Sequence, residues 1–173
     1  MSTNPLSEFR WLSPLGVSVI LFILQAVLTI VASLIVLTLN PRITTTAYRV
    51  EGGFMLSGRI DSLFFGKSIE QIIKDNPQLQ EIDRYALYVR AGLWVAFGFF
   101  QIALAWFGMR QGQAWAFWTI VLSNIAALAG WLMVIHPVVQ KRIPLGFDLP
   151  PVVLLLAGVI LPIAGILGWI GLY

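Results

Sequence analysis

Residues 103–118 read ALAWFGMRQGQAWAFW. Two tryptophan-rich apolar runs are separated by only five residues, Met109 to Gln113, and the single charge among them is Arg110. Amphipathic rings prefer the headgroup level of a bilayer. Trp106 and Phe107 close the first run, and Trp115, Phe117 and Trp118 open the second. The stretch therefore reads as the corner of a helical hairpin between two membrane spans, with Gly112 in the reversal. A plain interfacial turn is one reading of Arg110; contact with a lipid phosphate is the other.

The rest of the chain agrees. Of its 173 residues, 58% are hydrophobic and 11% charged, with a mean hydropathy of +0.85. A soluble domain carries about 25% charged residues, so this chain cannot clothe a globular surface in water. Lipid is the solvent that tolerates it. The net charge of +3 is small and scattered, which gives no nucleic-acid footprint. There is no cysteine, so disulfides, thiol nucleophiles and thiolate metal sites are excluded.

Four long uncharged apolar stretches follow: Pro14 to Leu39, Ala91 to Met109, Ala114 to Ile135 and Val152 to Tyr173. Each approaches or exceeds the roughly 20 residues that cross a hydrocarbon core. The first, about 39 Å long as a helix, should tilt or project. Its apolar part far exceeds the roughly 7–15 residues of a signal-peptide core, and it is expected to be retained. The expected fold is all-α: a single membrane domain of four transmembrane helices in a left-handed antiparallel bundle. A small extramembrane cap, residues 42–90, lies between helices 1 and 2.

No Asp, Glu, Lys or Arg lies inside the spans. Ionisable groups at membrane depth mark pumps, ion-coupled transporters and voltage sensors, so those classes are disfavoured. The polar residues present are Gln25, Thr29 and Ser33 in span one, Gln101 in span two, and Thr119, Ser123 and Asn124 in span three. Gln25, Thr29 and Ser33 recur every four residues and share one face. Such groups act as glue between helices, and Gln25 and Gln101 are expected to face the interior. The sharper reading is a polar patch, Gln25, Thr29, Gln101, Ser123 and Asn124, that orients a lipophilic ligand. Span four instead carries small residues, among them Ala157, Gly158, Ala164, Gly165, Gly168 and Gly171. Gly158, Ala164, Gly165 and Gly168 are the expected helix-packing positions, and Pro162 should bend the helix.

The segment 42–90 holds seven of the eleven basic and six of the eight acidic residues. This balance, interleaved with Ile, Leu, Phe and Tyr, points to an ordered cap rather than a disordered linker. ITTTAYRV and FMLSGRI flank EGG and are compatible with a short hairpin. Ser68 to Gln71 fits a capping box, and Asn76-Pro77 a helix start. Leu79, Ile82, Ala86, Val89 and Leu93 form one stripe, which predicts a single helix from Pro77 to Met109 with the cap folded on that stripe and over the bundle. The third loop contains His136, Lys141, Arg142 and Asp148. A lone histidine before a proline reads as a helix-end cap, and without a second one there is no zinc site. No catalytic residue, metal site or cofactor is expected.

The Trp106, Phe107, Gly108, Arg110, Gly112, Trp115, Ala116 and Trp118 turn, with the Asn76-Pro77 helix start before it, resembles a pattern in small bacterial four-helix membrane proteins of a DoxX-like kind. The resemblance covers about a third of the chain and carries over no activity and no site residues. It implies a bacterial inner-membrane, multi-pass protein. Family members often carry two basic residues in this turn, which places the turn in the cytoplasm; here Gln111 stands beside Arg110. The Lys/Arg count implies the opposite. Nine lie on the side of loops one and three, and two, Arg10 and Arg110, on the other.

Three function classes follow. The first is an accessory or assembly subunit that packs against another membrane protein or another copy of itself. The second is a binder of a lipid, sterol or quinone-like molecule beneath the cap. The third, an enzyme on lipophilic substrates, needs acid and base groups that the spans lack.

Overall fold

The computed structural model describes residues 9–39, 58–144 and 153–173. Among the described residues there are six α-helices and no strand: α1 (Pro14–Leu39), α2 (Gly58–Phe65), α3 (Ile69–Asp75), α4 (Gln78–Ala103), α5 (Ala114–Gln140) and α6 (Val153–Leu172). Three helical stretches are long and apolar enough to cross a membrane, namely Pro14–Ile35, Glu81–Gln111 and Ala114–Gln140; Gly158–Leu172 is a shorter apolar one. Most of the proposed hairpin lies outside the described residues. Its last three, Gly58, Arg59 and Ile60, are helical and open α2 instead of closing a strand.

Local chemistry accounts for the boundaries. Ser13 caps α1 by accepting the Gly16 amide at 3.1 Å, and Pro14 takes the first helical position, where a missing N–H costs nothing. Ser68 caps α3 and accepts from the Gln71 amide. The long rod beginning near Asn76-Pro77 is present, but its end is not plain α-helix. The Met109 amide is shared between the carbonyls of Leu104 and Ala105, which widens Leu104–Gly108 into a π turn. Met109–Gln111 then tightens into a 3-10 turn, and Gly112 reverses the chain at φ +73. That left-handed conformation is strained for any side-chain-bearing residue.

Helix α5 overruns the expected end at Ile135. It continues through Pro137 to Gln140; the proline removes the backbone N–H that would bond to the Met133 carbonyl, and the helix carries on for about one further turn. His136 is therefore a residue of the last turns, exposed, with Nε2 3.4 Å from Gln140 Nε2. The true end is a Schellman motif. Arg142 is left-handed at φ +55, the Ile143 amide reaches Val138 O, and the Arg142 amide reaches Val139 O.

The chain divides into two compact units. Of the described residues, the first holds 9–31, 94–127 and 153–173, and the second 32–39, 58–93 and 128–144. The first has its core along one face of α1, at Val19, Phe22 and Ala26, with Leu104, Ala105, Phe117, Ile120 and Ala164. In the second, Ile60 of α2 and Val138 of α5 are fully buried, with Phe64, Trp131, Val134, Ile135 and Ile143 packed on them. Lys141 fastens this cluster from outside. Its Nζ donates to Phe64 O at 2.8 Å and lies 3.8 Å from the Phe64 ring centroid.

One expectation fails here. The stripe on α4 does not dock: Ile82, Val89 and Leu93 are 61, 64 and 67% exposed. The second unit is organised instead by α2 and α5, which bury Ile60 and Val138 together with Phe64, Trp131, Val134, Ile135 and Ile143 packed on them.

Candidate functional site

The polar residues of the first unit form a connected chain. Gln101 of α4 donates from Nε2 to Phe22 O of α1 at 3.2 Å and to Gln25 Oε1 at 3.4 Å. Gln25 donates from Nε2 to Asn124 Oδ1 of α5 at 2.8 Å, and Asn124 donates in turn to Ile120 O at 2.9 Å. The donors run in one direction, from Gln101 through Gln25 to Asn124, and end on a backbone carbonyl. That direction fixes which way each amide is turned, and each bond polarises the next. Gln101 and Gln25 are 2 and 6% exposed. Burial without partners would cost each amide a few kcal/mol.

Of the remaining ligand candidates, Thr29 is buried and returns its hydroxyl to Gln25 O at 2.9 Å. Ser123 is half-buried and bonds to its own helix, at Thr119 O and Ile120 O. The structure thus brings Gln25, Gln101 and Asn124 together across three helices, with Thr29 on the same strip of α1, and leaves Ser123 local. None of these amides or hydroxyls ionises near neutral pH. The cluster can orient and hold; it supplies no acid or base.

Two packing candidates on α6 are in contact and two are not. Ala164 is fully buried, and its carbonyl accepts the Ser18 hydroxyl at 2.7 Å. A Cβ on Gly168 would stand 2.5 Å from Phe117 Cε2 and 2.8 Å from Ser18 Oγ, so only glycine permits that approach. Gly158 and Gly165 have nothing within 4 Å of a Cβ. Sequence reasoning missed Ser18, although it lies seven residues before Gln25 and so on the same face of α1.

It also missed how Arg110 is held. The guanidinium carbon lies 4.7 Å from the Trp106 ring centroid, 5.5 Å from Trp11 and 5.8 Å from Phe9. Trp11 packs on Trp106 at 6.0 Å and meets Phe9 edge-on at 4.9 Å. Gly16 sets this arrangement, because a Cβ there would strike the carbonyls of Arg10 and Trp11. Nε of Arg110 is buried without a hydrogen-bond partner, an omission worth roughly 1–3 kcal/mol or more for a charged group.

Comparison with family models, with curated proteins and with solved structures finds no match to this chain.

Proposed function

We propose that the chain is a multi-pass integral membrane protein whose four spans are α1, the rod from α4 to Gln111, α5 and α6, arranged antiparallel. We propose further that it acts as a non-catalytic accessory or assembly subunit alongside another membrane protein. The observation that carries the reading is the closed polar chain Gln101–Gln25–Asn124. Its amides bond to one another and to backbone, so they tie helices together in the manner of interhelical glue. Around this chain the outward faces are apolar: Leu24, Val27 and Val31 on α1, Leu122 and Ile125 on α5, and Val159, Ile163 and Ile166 on α6 are exposed. Lipid or a neighbouring helix is the partner such surfaces require. Trp106, Trp118, Trp169 and Tyr173 are exposed rings of the kind found at the headgroup level.

Helix α6 is given its span on length as well. Its 20 residues make about 30 Å of helix, the thickness of a hydrocarbon core. A bacterial inner membrane is the setting that the DoxX-like resemblance implies. Native mass spectrometry of the gently extracted protein tests the role. A second membrane protein at fixed stoichiometry is expected. A sterol or quinone-like molecule retained one per chain, with no protein partner, would overturn it in favour of a lipophilic-ligand carrier.

A further inference from the structure

We propose that the caged Arg110 guanidinium is a binding site for a phosphate oxyanion, presented by a phospholipid headgroup or as the free ion. The inference goes beyond the role proposed above but rests on the same membrane reading.

Phe9, Trp11 and Trp106 attract a cation through their ring faces. None of these faces accepts a guanidinium N–H in the plane of the fork, and the five donors of an arginine remain to be answered. Among the described residues none is: Nε is buried without a partner, and no carboxylate or carbonyl bonds to the group. A cation fixed in orientation, shielded by rings and lacking an acceptor is prepared for an external anion. The planar fork matches two phosphate oxygens in a bidentate pair, which an ammonium cannot do. The position favours a phosphate over other anions, because rings such as Trp11 and Trp106 lie at the depth where headgroup phosphates are densest.

Three separate features hold the site. Gly16 lets the Arg10–Trp11 backbone fold over the start of α1. The π turn Leu104–Gly108 carries Trp106, and π turns recur at functional positions. Gly112 fixes the reversal just beyond Arg110. A corner that only reversed the chain would need the third of these alone.

The test uses the full chain purified in non-ionic detergent, with lipid retention read by native mass spectrometry. The lipids are phosphatidylglycerol and diacylglycerol of equal chain length, and inorganic phosphate is titrated in a lipid-free sample. One phosphatidylglycerol per chain is expected, held at least about tenfold more tightly than diacylglycerol, the discrimination of one charge-assisted bond. Arg110→Gln should lose that preference, Arg110→Lys should weaken it, and Arg10→Gln, altering an exposed neighbouring charge, should leave it nearly intact. Equal retention of the two lipids by the wild type, or wild-type retention by a folded R110Q, overturns the proposal. Should R110Q not fold, R110K decides, and undiminished binding there overturns it. Arg110-dependent binding of inorganic phosphate assigns the free ion as a ligand; lipid binding without it assigns the headgroup. Phospholipid retained only after Glu8→Gln overturns the proposal, because a carboxylate of the chain then fills the site. Alkaline extraction of native membranes separates the two readings. A released wild type defeats the membrane reading, whereas an inserted protein indifferent to phosphate defeats this proposal alone.

Discussion

At the scale of single residues, Gln25 is the position on which the first unit most depends. Its amide is acceptor for Gln101 and donor to Asn124. Gln25→Leu removes both bonds and leaves two buried amides short of a partner, so it should destabilise the protein by roughly 1–2 kcal/mol. Asn124→Leu breaks one of the same bonds. The double variant should therefore lose less than the two single losses added, with a coupling of roughly 0.5–1.5 kcal/mol. Unfolding in mixed detergent micelles measures it, and strict additivity would show that the amides do not act as a unit. That Gln25 and Gln101 turn inward was legible in the sequence, because an amide at such depth has no other low-energy place. Which amide would find which was not, since that depends on the offset between helices and not on any spacing along one of them. The cage around Arg110 was illegible for a similar reason. Phe9 and Trp11 lie about a hundred residues earlier, and only the fold brings them to the corner.

Among the elements, α6 offers the sharpest contrast. Its small residues read in sequence as one packing set, yet they divide between two faces. Ala164 and Gly168 are in contact with α1 and α5, whereas Gly158 and Gly165 face open space. The seven-residue spacing groups Gly158 with Gly165 but cannot say which face meets a neighbour. Gly168→Val should cost about 1–3 kcal/mol, because the added carbons overlap Phe117 and Ser18. Gly158→Ala should be neutral or raise stability by up to about 1 kcal/mol from helix propensity alone. Thermal unfolding of the two variants side by side checks the assignment, and a reversal of their order would refute it. At the corner, Gly112→Ala forces a Cβ into the left-handed region and should cost about 1–2 kcal/mol. The hairpin corner itself was readable from its aromatic flanks and glycine. Its passage through a π turn was not, because Gly108 weakens any helix and nothing in LAWFG calls for a π turn in particular. The end of α5 was misplaced because Pro137 looks like a stop and is tolerated one turn from a Schellman cap.

For the whole molecule, the four spans proposed above fix which parts of the chain share a membrane face. The first unit gives a physical reason for four. Ser18, near the start of α1, donates to Ala164 O, and a Cβ on Gly171 would strike the Leu15 backbone. The last turns of α6 therefore lie beside the first turns of α1. Arg110 at the corner is caged by Phe9 and Trp11, just before α1. The start of α1, the Gly112 corner and the end of α6 thus share one end of that unit. Helix α5 leaves this end at Ala114, and α6 returns to it at Leu172. If α5 crosses the membrane, α6 must cross back. The absence of native cysteine makes the consequence easy to read. In sealed vesicles of one orientation, Gln113→Cys and Tyr173→Cys should react with an impermeant thiol reagent from the same side, and Lys141→Cys only from the other. The absolute side also decides between the Lys/Arg count, which places Lys141 in the cytoplasm, and the DoxX-like turn, which places Gln113 there. Labelling of Tyr173→Cys and Lys141→Cys from one side would refute the fourth span, since α6 would then have left and rejoined the same surface.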